Sequence, residues 1–159
     1  MTGEIDHAIL GSEIAEDILR KLQYKEEKIK EIKHCITTHR FRTGNVPKTI
    51  EAKILFDSDK LDAIGAVGIA RTFMLAGQFG QRLTVDELLN DYLKSNTVEN
   101  QKLKDVSKHT PFIEYEVKFK KIPGKLYTKK AKEMGKKRLE LMEEYFNKLK
   151  LEIEGAEYV

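Results

Sequence analysis

Leu10, Ile14, Ile18 and Leu22 recur at a constant step of four, with Ala15 and Leu19 widening the stripe. That is the period of one α-helical face, and it repeats along most of the chain. The next segment carries Ile29, Ile32, Cys35 and Ile36 at steps of three and four, and it ends before a loop from His39 to Pro47. Gly44-Asn45 favours a turn there, and Pro47 disfavours helix just before itself. Thr49 is a candidate N-cap for a third stripe, Ile50, Ile54, Leu55 and Leu61. Ala63 to Ala76 is apolar nearly all round, which predicts a buried helix, and Gly65, Ala66, Gly68 and Ala70 would let a neighbour approach closely. Thr84-Val85-Asp86-Glu87 reads as a capping box ahead of Leu88, Leu89, Tyr92 and Leu93, with a polar loop expected over 94–109.

Residues 112–121 fit either period. Thr110-Pro111 puts proline at a first helical position, and Glu114 with Lys118 and Glu116 with Lys120 are spaced i,i+4, so helix is the expectation. A long final helix opens at Thr128, runs through Leu139, Met142, Phe146 and Leu149, and closes before Gly155. A lone strand would have no partner, so the fold class is all-α.

A chain of 159 residues is one domain by length and long enough to bury a core. Its single cysteine, Cys35, excludes an internal disulfide and a Cys-based zinc site, and its place among apolar residues suits a structural thiol. The longest apolar-or-glycine run, Ala63 to Ala70, is far short of the roughly 20 residues that cross a bilayer, and Thr2, Gly3, Glu4 and Asp6 do not make a secretion signal. These features predict a soluble, reduced, cytoplasmic protein with no membrane partner. Charge is uneven: residues 1–100 hold 14 basic and 16 acidic side chains, residues 101–159 hold 15 and 10. A solvated basic helix face accounts for this, and no recognised nucleic-acid module is present, so a nucleic-acid partner is not expected.

The chain has no Gly-rich phosphate loop, no G-x-S-x-G and no His-Glu-x-x-His. Its chemistry lies in His7, His39 and Asp57-Ser58-Asp59, since imidazole and carboxylate together suit zinc, manganese or iron. His7 would stand at a helix start, His39 just past a helix end and Asp59 inside a third helix, so they converge only if the bundle brings them together. Each could instead be an ordinary surface or core side chain. His34 and His109 read as surface residues.

Asp6-His7-Ala8-Ile9-Leu10-Gly11-Ser12-Glu13-Ile14-Ala15, followed by Ile18-Leu19, resembles the third-histidine helix of HD-domain phosphohydrolases, of the form His-x-x-x-Gly-x-x-x-Ala and then Ile-Leu. Ile36-Thr37-Thr38-His39 resembles that family's next histidine. The segment Pro47 to Ala66, with Phe56-Asp57-Ser58-Asp59-Lys60-Leu61-Asp62 at its centre, is similar to the final-aspartate helix of the metal-dependent HD phosphohydrolases of the bacterial YedJ type. Gly68-Ile69-Ala70-Arg71-Thr72-Phe73 continues the match, as do Phe112, Lys118, Thr128, Ala131, Arg138, Met142, Phe146 and Glu152.

The resemblance implies an HD-like helical bundle over residues 1–159, with metal-site helices in 1–77 and a C-terminal helical part in 84–159. It implies that Asp59 is the final metal-binding aspartate and that His7 and His39 are the auxiliary histidines. Asp57 and Asp62 would stand in a second shell, and Arg40, Lys60 and Arg71 would meet substrate phosphate, with Arg42 a weaker candidate. It implies a divalent metal (Mn, Fe, Ni, Zn or Mg) and a phosphorylated small molecule or nucleotide as substrate. The departure is decisive: the family's upstream histidine and His-Asp doublet are missing, and the sequence contains no His-Asp dipeptide. The chain therefore reads as an N-terminally truncated HD domain with an incomplete metal site and little or no activity alone, completed by a second chain or by self-association. The alternatives are a degenerate HD domain that serves as a helical binding or assembly module and, least favoured, a basic C-terminal helix that binds nucleic acid.

Overall fold

The computed structural model describes residues 6–40, 45–84, 89–97 and 103–156. It divides into two units. The first comprises the described residues up to Asp59 together with Leu126–Thr128; the second comprises those of Lys60–Lys125 and from Lys129 onward.

In the first unit α1 (His7–Lys21) and α2 (Glu26–Thr38) pack together as a helical hairpin. The link between them turns at Gln23, whose φ is 57°. Arg20 grips Glu16 on its own helix and Glu26 on the next, and Lys33 of α2 pairs with Glu16. These contacts fix the register of the hairpin, but such exposed pairs add at most about 1 kcal/mol each. The apolar stripe of α1 behaves unexpectedly. Ala8 and Ser12 are buried against the hairpin, while Leu10, Ile14, Ile18 and Leu22 are 43–63% exposed. The periodicity located the helix correctly but not the face turned inward.

Helix α3 (Ile50–Asp62) starts where Thr49 was expected to cap it: the Thr49 hydroxyl accepts the Ala52 N–H at 3.2 Å. Ala52 and Phe56 form its buried side in this unit, and Phe56 meets Tyr127 edge-on at 5.1 Å between ring centroids.

The second unit contains α4 (Gly65–Gln78), α5 (Leu89–Asn96), α6 (Pro111–Val117) and α7 (Lys129–Glu154). Helix α4 is only partly buried, because Val67, Met74 and Leu75 face solvent and Gly65, Gly68 and Ala76 face inward. The expectation of an all-round buried helix is corrected accordingly. The close approach at its glycines is real. A Cβ on Gly68 would lie 2.3 Å from the Ala63 carbonyl oxygen, and Gly65, at φ +81°, has the Arg138 side chain against it. Arg138 donates to the Leu61 carbonyl.

Helix α6 begins as the proline predicts, with the Thr110 hydroxyl accepting the Ile113 N–H. Both expected i,i+4 pairs form. It stops at Val117, and a 3-10 turn covers Phe119–Lys121, so the helix expected through 121 is shorter than the pattern implied. The core gathers on Phe146, stacked on Tyr115 at 4.5 Å and flanked by Phe112 at 5.3 Å and Phe73 at 6.2 Å. The polar stretch after α5 is partly ordered: Thr97 and Leu103 form an isolated antiparallel bridge, and Val106–Lys108 is a 3-10 turn. The capping-box residues 85–87 lie outside the described residues.

His109 corrects its expected place on the surface. It is 8% exposed, and its Nδ1 is 2.8 Å from the Tyr92 hydroxyl while Nε2 is 2.8 Å from the Glu114 carboxylate. Asn96 donates to the same hydroxyl and to the Asp105 carbonyl. The network closes with Asn96 donating to the Tyr92 hydroxyl and His109 bridging that hydroxyl and the Glu114 carboxylate. Burial alone would raise the Glu114 carboxyl. The bond from His109 and the Lys118 ammonium outweigh it, and together they bring its pKa to about 2.

A depressed carboxylate stabilises the fold above its unfolded value and loses that contribution as pH falls through the folded one. Unfolding free energy is therefore expected to drop between about pH 4.5 and 2, by on the order of 3 kcal/mol. Urea titrations across that range would measure it. The drop should flatten in Glu114→Gln; an unchanged slope in that variant would assign the acid sensitivity elsewhere.

Candidate metal and phosphate site

His7 is the first residue of α1, and Asp6 caps that helix by accepting the Ala8 N–H at 2.9 Å. His39 stands at the other end of the hairpin path, at the C-cap of α2. The two imidazoles meet, with ring centroids 5.6 Å apart and planes tilted by 58°. Asp6 and Arg40, one residue outside each histidine, form an ion pair that ties the two helix ends together. The Ala8 N–H is the first cause holding the Asp6 carboxyl below its ordinary range. Arg40 adds to it, and desolvation opposes.

His39 Nδ1 lies 2.5 Å from the Ile36 carbonyl oxygen. A carbonyl can only accept, so Nδ1 carries a proton and donates it, which leaves Nε2 as the ring's other coordinating position. This is how a metal-ligating or base histidine is commonly oriented.

Among the carboxylates, Asp57 is committed to backbone and hydroxyl donors. It is 2% exposed, and its oxygens accept the Tyr127 N–H at 2.8 Å, the Thr128 N–H at 2.8 Å and the Thr128 hydroxyl at 2.7 Å. Asp57 therefore ties the Tyr127–Thr128 segment to α3 within the first unit. Asp59, two residues on, is exposed. Asp62 forms a surface pair with Arg71 at 2.5 Å, both more than half exposed. Lys60 is half-buried on α3. Arg42 lies outside the described residues. His34 is half-buried and accepts the Lys48 N–H through Nε2, which fixes the chain ahead of α3. Burial pushes the Cys35 thiol up, as suits a structural cysteine rather than a nucleophile.

Among the described residues, no group of three or more His, Cys, Asp or Glu side chains is placed to hold a metal ion. Two imidazoles supply fewer ligands than the three a catalytic zinc ordinarily takes from protein. The described residues therefore do not by themselves supply the ligand set of a catalytic metal centre. Sequence reasoning missed the Asp6–Arg40 clamp. Its signal was present, since each member adjoins one of the histidines.

Fold and site together place the chain among all-α, HD-like helical bundles. The Bacillus subtilis (strain 168) protein YpgQ, itself uncharacterized, is 52% identical over 58 residues, which is 34% of this chain and 28% of YpgQ. Crystal structures of YpgQ, alone and in complex with ADP, superpose with TM-scores of 0.65 and 0.66 at 28% identity, covering 92% of this chain and 66% of theirs. An HD-superfamily hydrolase from Bacillus thuringiensis superposes with a TM-score of 0.61 at 26% identity, covering 91% of this chain and 63% of that one. The chain thus spans just under two thirds of the length of these structures. No protein-family model matches it. Among the described residues no helix is long and apolar enough to cross a membrane.

Proposed function

We propose that the chain contributes part of the catalytic centre of an HD-type, metal-dependent phosphohydrolase of the YedJ kind, acting on nucleotide-class phosphoesters. One observation carries this reading: the His7 and His39 imidazoles approach each other, with His39 oriented by the bond from Nδ1 to the Ile36 carbonyl. The surrounding fold is similar to an HD-superfamily hydrolase and to YpgQ, which has been crystallised with ADP. By the motif resemblance Asp59 is the carboxylate assigned to join the pair, a convergence that the described residues do not themselves display. The rest of the ligand set comes from groups this sequence lacks, a His-Asp doublet above all, so the chain alone binds divalent metal weakly and turns over little substrate. Arg40 is the phosphate contact beside the histidines and would have to release Asp6; Lys60 and Arg71 are further candidates, and Arg71 would have to release Asp62.

Elemental mass spectrometry of the purified chain and of Asp59→Ala tests this. The expected result is less than one manganese, iron, nickel, zinc or magnesium per chain, falling further in the variant, with negligible hydrolysis of ADP or generic phosphoesters in added manganese. Full metal occupancy with turnover abolished by Asp59→Ala would show the chain to be a complete enzyme. Absence of metal from both proteins would remove the site.

The exposed α1 stripe of Leu10, Ile14, Ile18 and Leu22 favours the second reading, a helical assembly module. Contiguous apolar surface of this kind ordinarily marks a contact site. Light scattering that gives a strict monomer would count against it.

A further inference from the structure

The surface around the start of α7 is the most strongly charged part of the chain. Residues 118–138 hold ten cationic side chains and one carboxylate, Glu133, a net of +9, so the remainder of the chain carries −6. At 100° per residue, Lys129, Lys130, Lys132, Lys136 and Lys137 fall within about 160° of one helix face. All five are exposed. The opposite side of α7 is committed to the core through Ala131, Gly135, Met142 and Phe146. The 3-10 turn Pro123–Lys125 packs against α7, which adds Lys125, with Lys121 in the preceding turn. Burial, and after it the Lys121 ammonium, pushes the Lys125 ammonium below its ordinary range.

Some of this charge is used internally. Lys118 and Lys120 pair with Glu114 and Glu116, Lys136 lies 4.0 Å from Glu140, and Arg138 is held at Leu61. Lys121, Lys129, Lys130, Lys132 and Lys137 meet no carboxylate within ion-pair range among the described residues. Holding so many like charges together costs stability unless an anion relieves them.

We propose that this face binds the phosphate backbone of nucleic acid, without sequence preference. The lysines of α7 extend over about 12 Å at 1.5 Å per residue, a length over which duplex DNA presents about seven phosphate charges. An anionic membrane is the weaker fit. Surface-lying helices insert an apolar face between lipids, and the side of α7 opposite these lysines, Ala131 and Gly135, is already buried. The proposal does not depend on the phosphohydrolase reading.

Fluorescence anisotropy with labelled single-stranded and duplex DNA tests it on the intact chain. Binding is expected at about 50 mM salt and should weaken by about 100-fold at 200 mM if four phosphates are neutralised. The variant Lys129→Gln/Lys130→Gln/Lys132→Gln/Lys137→Gln should lose at least about ten-fold in affinity and show a flatter salt slope. A control of equal net charge, Lys21→Gln/Lys25→Gln/Lys30→Gln/Lys94→Gln, should bind like wild type. Circular dichroism establishes that each variant is folded; if the first is not, its two halves, Lys129→Gln/Lys130→Gln and Lys132→Gln/Lys137→Gln, are measured separately. No binding at low salt, equal loss in the control, or capture by phosphatidylserine vesicles with no DNA binding would each overturn the proposal.

Discussion

Phe146→Ala is expected to lower the unfolding free energy by about 3–5 kcal/mol, which in a chain of this size moves the melting midpoint by on the order of 10 °C. The size follows from where the ring sits. It is 1% exposed, stacked on Tyr115 and edge-on to Phe112 and Tyr145. Truncation removes buried apolar surface and also leaves a cavity whose walls are aromatic rings, which collapse poorly into a void. Each lost aromatic pair adds about 0.5–1.5 kcal/mol beyond area. Leu151→Ala, five residues along the same helix and 44% exposed, should change stability by no more than about 0.5 kcal/mol. Urea midpoints with unchanged slopes would measure both. A loss below about 1 kcal/mol for Phe146→Ala would mean that this aromatic cluster does not hold the second unit together.

The helices were legible because their signals are local. Thr49 and Thr110-Pro111 mark starts through side chains that satisfy backbone groups a few residues away, and α3 and α6 begin there, while α7 opens directly after Thr128. Which face of a helix is buried is set by what packs against it, and this is where reading failed. The α1 stripe faces out, and α4 is exposed along Val67, Met74 and Leu75. Among the site residues, the nearness of His7 and His39 follows from a resemblance and from a hairpin that joins their helices. The Asp6–Arg40 clamp spans 34 positions, and the reach of Asp57 to Thr128 spans 71, so no window of sequence contains either. His109 looked like a surface residue for the same reason. Its partners Tyr92 and Glu114 lie on two different helices, and only the fold closes the network.

Asp57 and Asp59 sit two residues apart on α3, and their alanine variants are expected to fail in opposite ways. Asp57→Ala removes an acceptor from the Tyr127 and Thr128 N–H groups and from the Thr128 hydroxyl, all at a position only 2% exposed. Orphaned buried donors cost about 1–3 kcal/mol each, with overlap between neighbours, so a destabilisation of about 2–4 kcal/mol is expected. Asp57→Asn keeps one oxygen but turns an NH2 toward donors, and should recover only part of the loss. Asp59→Ala alters an exposed side chain and should cost about 0.5 kcal/mol or less, while lowering whatever divalent metal the chain retains. Thermal melts paired with metal content on the same preparations separate the two roles. If Asp57→Ala melted like wild type and lost metal while Asp59→Ala kept it, the ligand would be the buried carboxylate, and its bonds to Tyr127 and Thr128 would have to open before metal could bind.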